Sequence, residues 1–128
     1  MTQPTIMVVD DESAIRNLIV TVLEDEGYRA VGVPSGVAAL EAFPSEQPDA
    51  ILLDLMMPVL DGRETLRRLR QLPGGAEAPV VIMSAAISSS VGDDSVVAFL
   101  AKPFDLIALL DTIESVLADR NPATRAGA

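Results

Sequence analysis

The sequence predicts an α/β domain, a doubly wound sheet of five parallel strands in the order 2-1-3-4-5 with helices on both faces. Two patterns carry this reading. Five short, mostly apolar runs, 6–9, 28–33, 50–53, 80–83 and 97–101, have the length and composition of strands buried in a parallel sheet. Segments with apolar residues at helical spacing alternate with them, as parallel strands joined by right-handed crossovers require. A third observation places a site. Four of the five runs end on polar side chains, at the lip where open α/β sheets bind ligands.

Ile6 to Val9 form the first strand, which ends on Asp10 and Asp11. In the helix that follows, Ile15, Leu18, Ile19, Val22 and Leu23 make one apolar stripe, and Gly27 is suited to the residue just past its end. Tyr28 to Val33 are the second strand, closed by Pro34. Ser35 can cap a second helix with Val37, Leu40 and Phe43 inward and Pro44 as its end. Ala50 to Leu53, wholly apolar and flanked by Pro48 and Pro58, are the third strand and end on Asp54. A charge there is costly unless something pairs with it.

Past Gly62 a third helix carries Leu66, Leu69 and Leu72, broken by Pro73-Gly74-Gly75. Val80 to Met83 are the fourth strand and end on Ser84. Residues 87–96 make a poor helix, with four serines, a glycine and two aspartates, and are expected to be the least ordered part of the domain. Val97 to Ala101 are the fifth strand, ending on Lys102-Pro103, and a last helix buries Leu106, Leu109, Leu110, Ile113 and Leu117. Residues 1–120 form one domain and 121–128 a short polar tail.

Composition narrows the chemistry. The formal net charge of −10 repels nucleic acid and anionic membrane, so neither is expected as a partner. Four basic residues within eight positions, Arg63, Arg67, Arg68 and Arg70, are read as a solvated helix face. Without cysteine or histidine there can be no disulfide, thiol nucleophile, thiolate zinc site or histidine-based triad. No stretch has the length of a membrane span and no signal peptide is evident, so a cytoplasmic location is expected.

In the order 2-1-3-4-5 strands 1 and 3 are neighbours, so Asp10, Asp11 and Asp54 should meet at one crevice. Crowded carboxylates raise one another's pKa values, and a hard divalent cation such as Mg²⁺ relieves that conflict. Lys102 adds an ammonium and Ser84 a hydroxyl, a set suited to phosphoryl transfer. Each residue alone also has a plain reading, Asp10 and Asp11 as helix caps and Ser84 or Lys102-Pro103 as turn and strand exit. The four signals together, on the right strands, point to a site.

At these positions the chain resembles the receiver domains of two-component response regulators. The resemblance runs from about Thr5 to Leu117 and rests on Val8-Val9-Asp10-Asp11-Glu12, Asp54 with Met57-Pro58 and Asp61-Gly62, Ser84-Ala85, and Phe99-Leu100-Ala101-Lys102-Pro103-Phe104. It implies a flavodoxin-like fold and a phosphorylation-dependent signalling switch. Asp54 would accept the phosphoryl group from a phosphohistidine on a sensor histidine kinase or histidine phosphotransfer protein. Asp11, Asp54 and the backbone carbonyl of Met56 would bind Mg²⁺ with help from Asp10, Mn²⁺ substituting. Lys102 and Ser84 would bind the phosphoryl oxygens, Ser84 and Phe99 would act as switch residues, and Lys102-Pro103 would be a cis peptide. Residues 87–96 would then gain order on phosphorylation.

The chain departs from that family in two ways. The spacing from Ser84 to Lys102 is about one helical turn, roughly 3.6 residues, shorter than usual, which implies a shortened fourth helix. No output domain follows the last helix, which reads as a stand-alone receiver signalling to an unknown downstream protein, or one excised from a longer chain. Such a domain would catalyse its own phosphorylation and dephosphorylation and turn over no metabolite. Two other functions compete: a pseudo-receiver that docks without being phosphorylated, and an aspartyl-phosphate phosphatase. Against the latter, enzymes similar to haloacid dehalogenases carry a second Asp two positions after the nucleophile, where this chain has Met56.

Overall fold

The computed structural model describes residues 3–84, 96–102 and 105–120. Five strands, β1 (Thr5–Val9), β2 (Arg29–Val33), β3 (Ala50–Asp54), β4 (Val80–Ser84) and β5 (Val96–Ala101), form one sheet in the order β2-β1-β3-β4-β5. Every pairing is parallel. β3 is central and buried at all five positions, as its apolar run requires. A register shift between β4 and β5 near Val80 and Val81 leaves Ser84 opposite Ala101 and so delivers Lys102 to the same lip.

The strand alternation divides the core into two layers. Met7, Val9, Ile51, Leu53, Val80 and Ile82 face α2 (Gly36–Glu46) and α3 (Gly62–Leu69), which contribute Ala39, Phe43, Leu66 and Leu69. Ile6, Val8, Ala50, Leu52, Val81 and Met83 face α1 (Ser13–Asp25) and α4 (Leu106–Arg120), which contribute Ile19, Leu23, Leu109, Ile113 and Val116. Each fully buried aliphatic side chain stabilises the fold by about 1.5–3 kcal/mol relative to exposure.

Local signals act where the sequence places them. α1 ends with Gly27 at φ 94°, while the N–H groups of Gly27 and Tyr28 donate to the carbonyls of Glu24 and Leu23. This two-bond terminus needs a left-handed residue, which glycine supplies without strain. The Ser35 hydroxyl caps α2 by accepting from Ala38 N at 3.1 Å, and Asp61 caps α3 by accepting from Glu64 N at 2.9 Å.

Several details differ from expectation. Leu18 and Val37 are exposed rather than inward, each lying at the edge of its stripe. Pro44 lies inside α2, which continues to Glu46 and ends on Gln47 at φ 40°. Proline there removes one amide donor without stopping the last turn. α3 ends at Leu69, so Leu72 packs from the following turn. Arg70 does not belong to a solvated face: its Nη1 donates to the carbonyls of Gly75 and Ala78 at 2.6 and 2.8 Å and ties down the loop before β4. Residues 87–95, the shortened fourth helix, the Lys102-Pro103 peptide and the tail 121–128 lie outside the described residues.

Candidate functional site

The ends of β1 and β3 lie side by side at the point where the chain reverses its winding direction. Val9 pairs with Leu53, which brings Asp10 beside Asp54. Asp10 is fully buried and Asp54 nearly so, whereas Asp11 is exposed. One carboxylate oxygen from each of the three lies within 4.8 Å of the others.

Lys102 reaches into this cluster from the end of β5. Its Nζ is 2.8 Å from Asp10 Oδ2 and 3.2 Å from Asp54 Oδ2, with Glu12 Oε1 at 3.9 Å. Its backbone N–H donates to the Ser84 carbonyl at 2.8 Å, which fixes the stem to β4. Burial would depress the Lys102 pKa, but the hydrogen bond and charge of Asp10 and the charge of Asp54 more than reverse it, so the pKa is raised. The amine is therefore a fixed ammonium at neutral pH.

The second oxygen of each buried carboxylate is held by backbone. Asp54 Oδ1 accepts the Met56 N–H at 3.0 Å, and Asp10 Oδ1 accepts the Glu12 N–H at 2.9 Å. Asp54 has its pKa raised, chiefly by burial, with the Met56 N–H and Lys102 acting in the opposite sense. The bond to Met56 turns its peptide toward the lip, while the Met56 side chain points to solvent. Gly62 explains how the loop returns so closely. A Cβ there would lie 2.5 Å from the Asp54 carbonyl oxygen and 2.6 Å from Leu55 Cα, so only glycine lets α3 start directly against the backbone at the end of β3.

Ser84 ends β4, buried at the same lip. Phe99 lies three residues before Lys102 on β5, opposite Ile82, and is partly exposed. The structure thus gathers Asp10, Asp11, Asp54 and Lys102 and sets Met56 and Ser84 at their margin. Two participants were given no role from sequence, although Glu12 stands in the quoted motif. Glu12 flanks Lys102, and Arg16 on α1 donates from Nη1 to the Asp10 carbonyl at 2.9 Å.

Three oxygen donors around a doubly wound crevice define an acidic-cleft α/β module with one fixed cation. The chain belongs to the response regulator receiver domain family, whose model matches residues 6–114. It is therefore a receiver domain of two-component signalling. Response regulator MprA of Mycobacterium ulcerans (strain Agy99) is 39% identical over 116 residues, covering 88% of this chain and 49% of that protein. MprA of Mycobacterium avium (strain 104) is 37% identical over 121 residues, covering 91% and 52%. The chain spans about half the length of the curated relatives it matches.

Among solved structures, chemotaxis response regulator CheY4 of Vibrio cholerae aligns with a TM-score of 0.84 at 28% identity, over 91% of this chain and 100% of that one. The receiver domain of sensor histidine kinase PA1611 from Pseudomonas aeruginosa PAO1 aligns with a TM-score of 0.81 at 26% identity, over 91% and 99%. That neighbour holds a magnesium ion coordinated in its active site cleft. Among the described residues of this chain, no helix is long and apolar enough to cross a membrane.

Proposed function

We propose that this domain is a phosphorylation-dependent switch in which Asp54 accepts a phosphoryl group from a phosphohistidine on a sensor histidine kinase or phosphotransfer protein. The observation that carries this reading is the convergence of Asp10, Asp11 and Asp54 within 4.8 Å, with the Lys102 ammonium on Asp54. Asp54 sits at the end of a rigid, fully buried strand, with one oxygen oriented by Met56 N–H. In the step proposed, an Asp54 oxygen attacks phosphorus in line, a P–O bond forms, the P–N bond breaks, and the donor imidazole leaves with the electron pair.

The donor set also fits a hard divalent cation: carboxylate oxygens at one lip, without sulfur or imidazole. Asp10, Asp11, Asp54 and the backbone carbonyl of Met56 would hold Mg²⁺, or Mn²⁺ in its place. Bound there, such an ion would supply positive charge to offset that of the phosphoryl oxygens. Lys102 passes from Asp54 Oδ2 to a phosphoryl oxygen, and the Ser84 hydroxyl donates to another. Ser84 and Phe99, on adjacent strands, are the residues that would carry the change outward to a downstream protein.

Intact-mass measurement after incubation with acetyl phosphate and Mg²⁺ tests the reading. The wild type should gain a single phosphoryl group and Asp54→Ala none. Equal labelling of both proteins would remove Asp54 from the acceptor role, and no labelling of the wild type would remove the switch itself.

A further inference from the structure

Arg16 is tied to the acid cluster without touching its carboxylates. It lies on the first turn of α1, half-buried, and its stem crosses the β2 backbone at Gly32. A Cβ on Gly32 would meet Arg16 Cγ at 3.1 Å and Cδ at 3.3 Å, with Val20 Cγ2 also at 3.1 Å, so the missing side chain leaves the space that the stem shares with Val20. From there Arg16 Nη1 donates to the Asp10 carbonyl at 2.9 Å.

Asp10 is held on its other sides as well. Its N–H donates to the Val33 carbonyl at 3.2 Å, Oδ1 accepts from Glu12 N, and Oδ2 accepts from Lys102 Nζ. Its carbonyl belongs to the peptide that leads into Asp11. The Arg16 bond therefore fixes the plane of the Asp10–Asp11 peptide and with it the direction in which the exposed Asp11 carboxylate is presented. Arginine suits this task because its planar fork loses less freedom per hydrogen bond than a lysine ammonium does.

We propose that Arg16 is a positioning residue of the cation site, raising the Mg²⁺ affinity of Asp10, Asp11 and Asp54 by holding the peptide between the first two. This rests on the reading of that cluster as the Mg²⁺ site. The two effects of Arg16 have opposite signs, which makes the proposal decidable. As a positive charge beside a cation site it opposes Mg²⁺, so through charge alone its removal would tighten binding. As a peptide clamp it favours Mg²⁺, so its removal weakens binding. Supporting partners of metal ligands commonly account for about 10–100-fold in affinity, more than a screened charge near the surface.

Calorimetric titration of the whole chain with MgCl₂ tests this, with melting curves in chelator confirming that each variant is folded. Arg16→Met keeps the stem and removes the fork, and should bind Mg²⁺ about tenfold more weakly than wild type. Arg16→Lys keeps the charge and one donor, and should fall between the two. Gly32→Ala displaces the stem without altering any charge, and should also weaken binding. If Arg16→Met does not fold, weakening in both other variants upholds the proposal and unchanged affinity in both overturns it. Binding by Arg16→Met equal to or tighter than wild type overturns the clamp while leaving the Mg²⁺ site in place. Absence of Mg²⁺ binding by the wild type overturns the site, and the clamp with it.

Discussion

Lys102 and Asp54, 48 residues apart in sequence, meet with Nζ 3.2 Å from Oδ2, and the same ammonium lies 2.8 Å from Asp10 Oδ2. One ammonium is therefore shared by two carboxylates whose side chains are 0% and 5% exposed, and it offsets only part of their charge. Removing one partner of so buried a group leaves charge without compensation, typically at a cost of about 3–5 kcal/mol. Lys102→Met should lower stability by about 3 kcal/mol in urea unfolding without divalent cations. Mg²⁺ should restore more stability to this variant than to wild type, because the ion takes over neutralisation of the acids. A loss below about 0.5 kcal/mol, the range of ordinary surface substitutions, would mean that the pair is solvated in solution.

Asp54 is held in a place that disfavours its own charge. Its folded-state pKa is raised above the usual carboxylate value, chiefly by burial. A carboxyl whose folded pKa is raised favours the fold below the unfolded pKa and loses that contribution as pH rises through the folded value. At neutral pH, without divalent cations, the ionised Asp54 therefore works against stability. Asp54→Asn should melt higher than wild type at pH 7 in chelator, and the gap should close as pH falls below about 4, where the unfolded carboxyl also protonates. A variant less stable than wild type at pH 7 would show that Lys102 and the Met56 N–H outweigh burial.

Glu64 behaves in the opposite way. It accepts from Arg67 and Arg68 on the exposed side of α3, and these hydrogen bonds hold its pKa at about 2, down from 4.5. A depressed folded pKa contributes stability that is present above the unfolded value and is lost as pH falls through the folded one. Glu64→Gln should therefore be less stable than wild type at pH 6, with the difference disappearing between about pH 4.5 and pH 2. The pair is exposed, so added salt should shrink the effect. Unfolding midpoints across that range give the comparison, and a difference independent of pH would exclude the ion pairs as its source.

Val59 is an exposed β-branched residue at φ 67°, the centre of a tight turn in which Leu60 N–H donates to the Pro58 carbonyl at 2.8 Å. Such a backbone conformation costs a non-glycine residue about 1–3 kcal/mol. Glycine adopts it freely but loses up to about 1 kcal/mol of chain entropy on folding. Val59→Gly should thus raise stability by about 1 kcal/mol, and Val59→Ala, which keeps a Cβ, should gain less. A destabilised glycine variant would place the turn outside the left-handed region in solution.

Much of this arrangement is legible in the sequence because the central strands are apolar on both faces. Ala50 to Leu53 cannot be an exposed strand, alternation with helices then makes the sheet parallel, and the order observed is the common one for a doubly wound sheet of five strands. The acids and Lys102 are legible for the same reason, as polar residues ending apolar runs. Helix faces are less legible. The stripes of α1 and α2 include Leu18 and Val37, yet which edge of a stripe meets the sheet depends on how the helix is rolled, which periodicity does not fix. Pro44 was an unreliable stop because one lost amide bond near a helix end is tolerated. Arg16 was invisible as a partner of Asp10 because its bond is to a carbonyl, which every residue carries.

Mg²⁺ should stabilise the fold through linkage, and Asp11 decides by how much. Asp10 and Asp54 share the Lys102 ammonium, whereas Asp11 is the exposed member of the cluster. A cation entering the cleft meets the net negative charge left on the buried pair and, at the lip, the Asp11 carboxylate, which adds a further full negative charge. The unfolded chain holds no such convergence, so binding favours the native state by about 2.7 kcal/mol at a free ion concentration 100 times Kd. For a domain of this size that corresponds to a rise in melting temperature of about 10 °C. Asp11→Ala should melt no lower than wild type in chelator, because no buried contact is lost and a like charge is removed from the cluster, and should gain only a small fraction of that rise when Mg²⁺ is added. An equal gain in both proteins would take Asp11 out of the cation site and leave the ion to the two buried carboxylates.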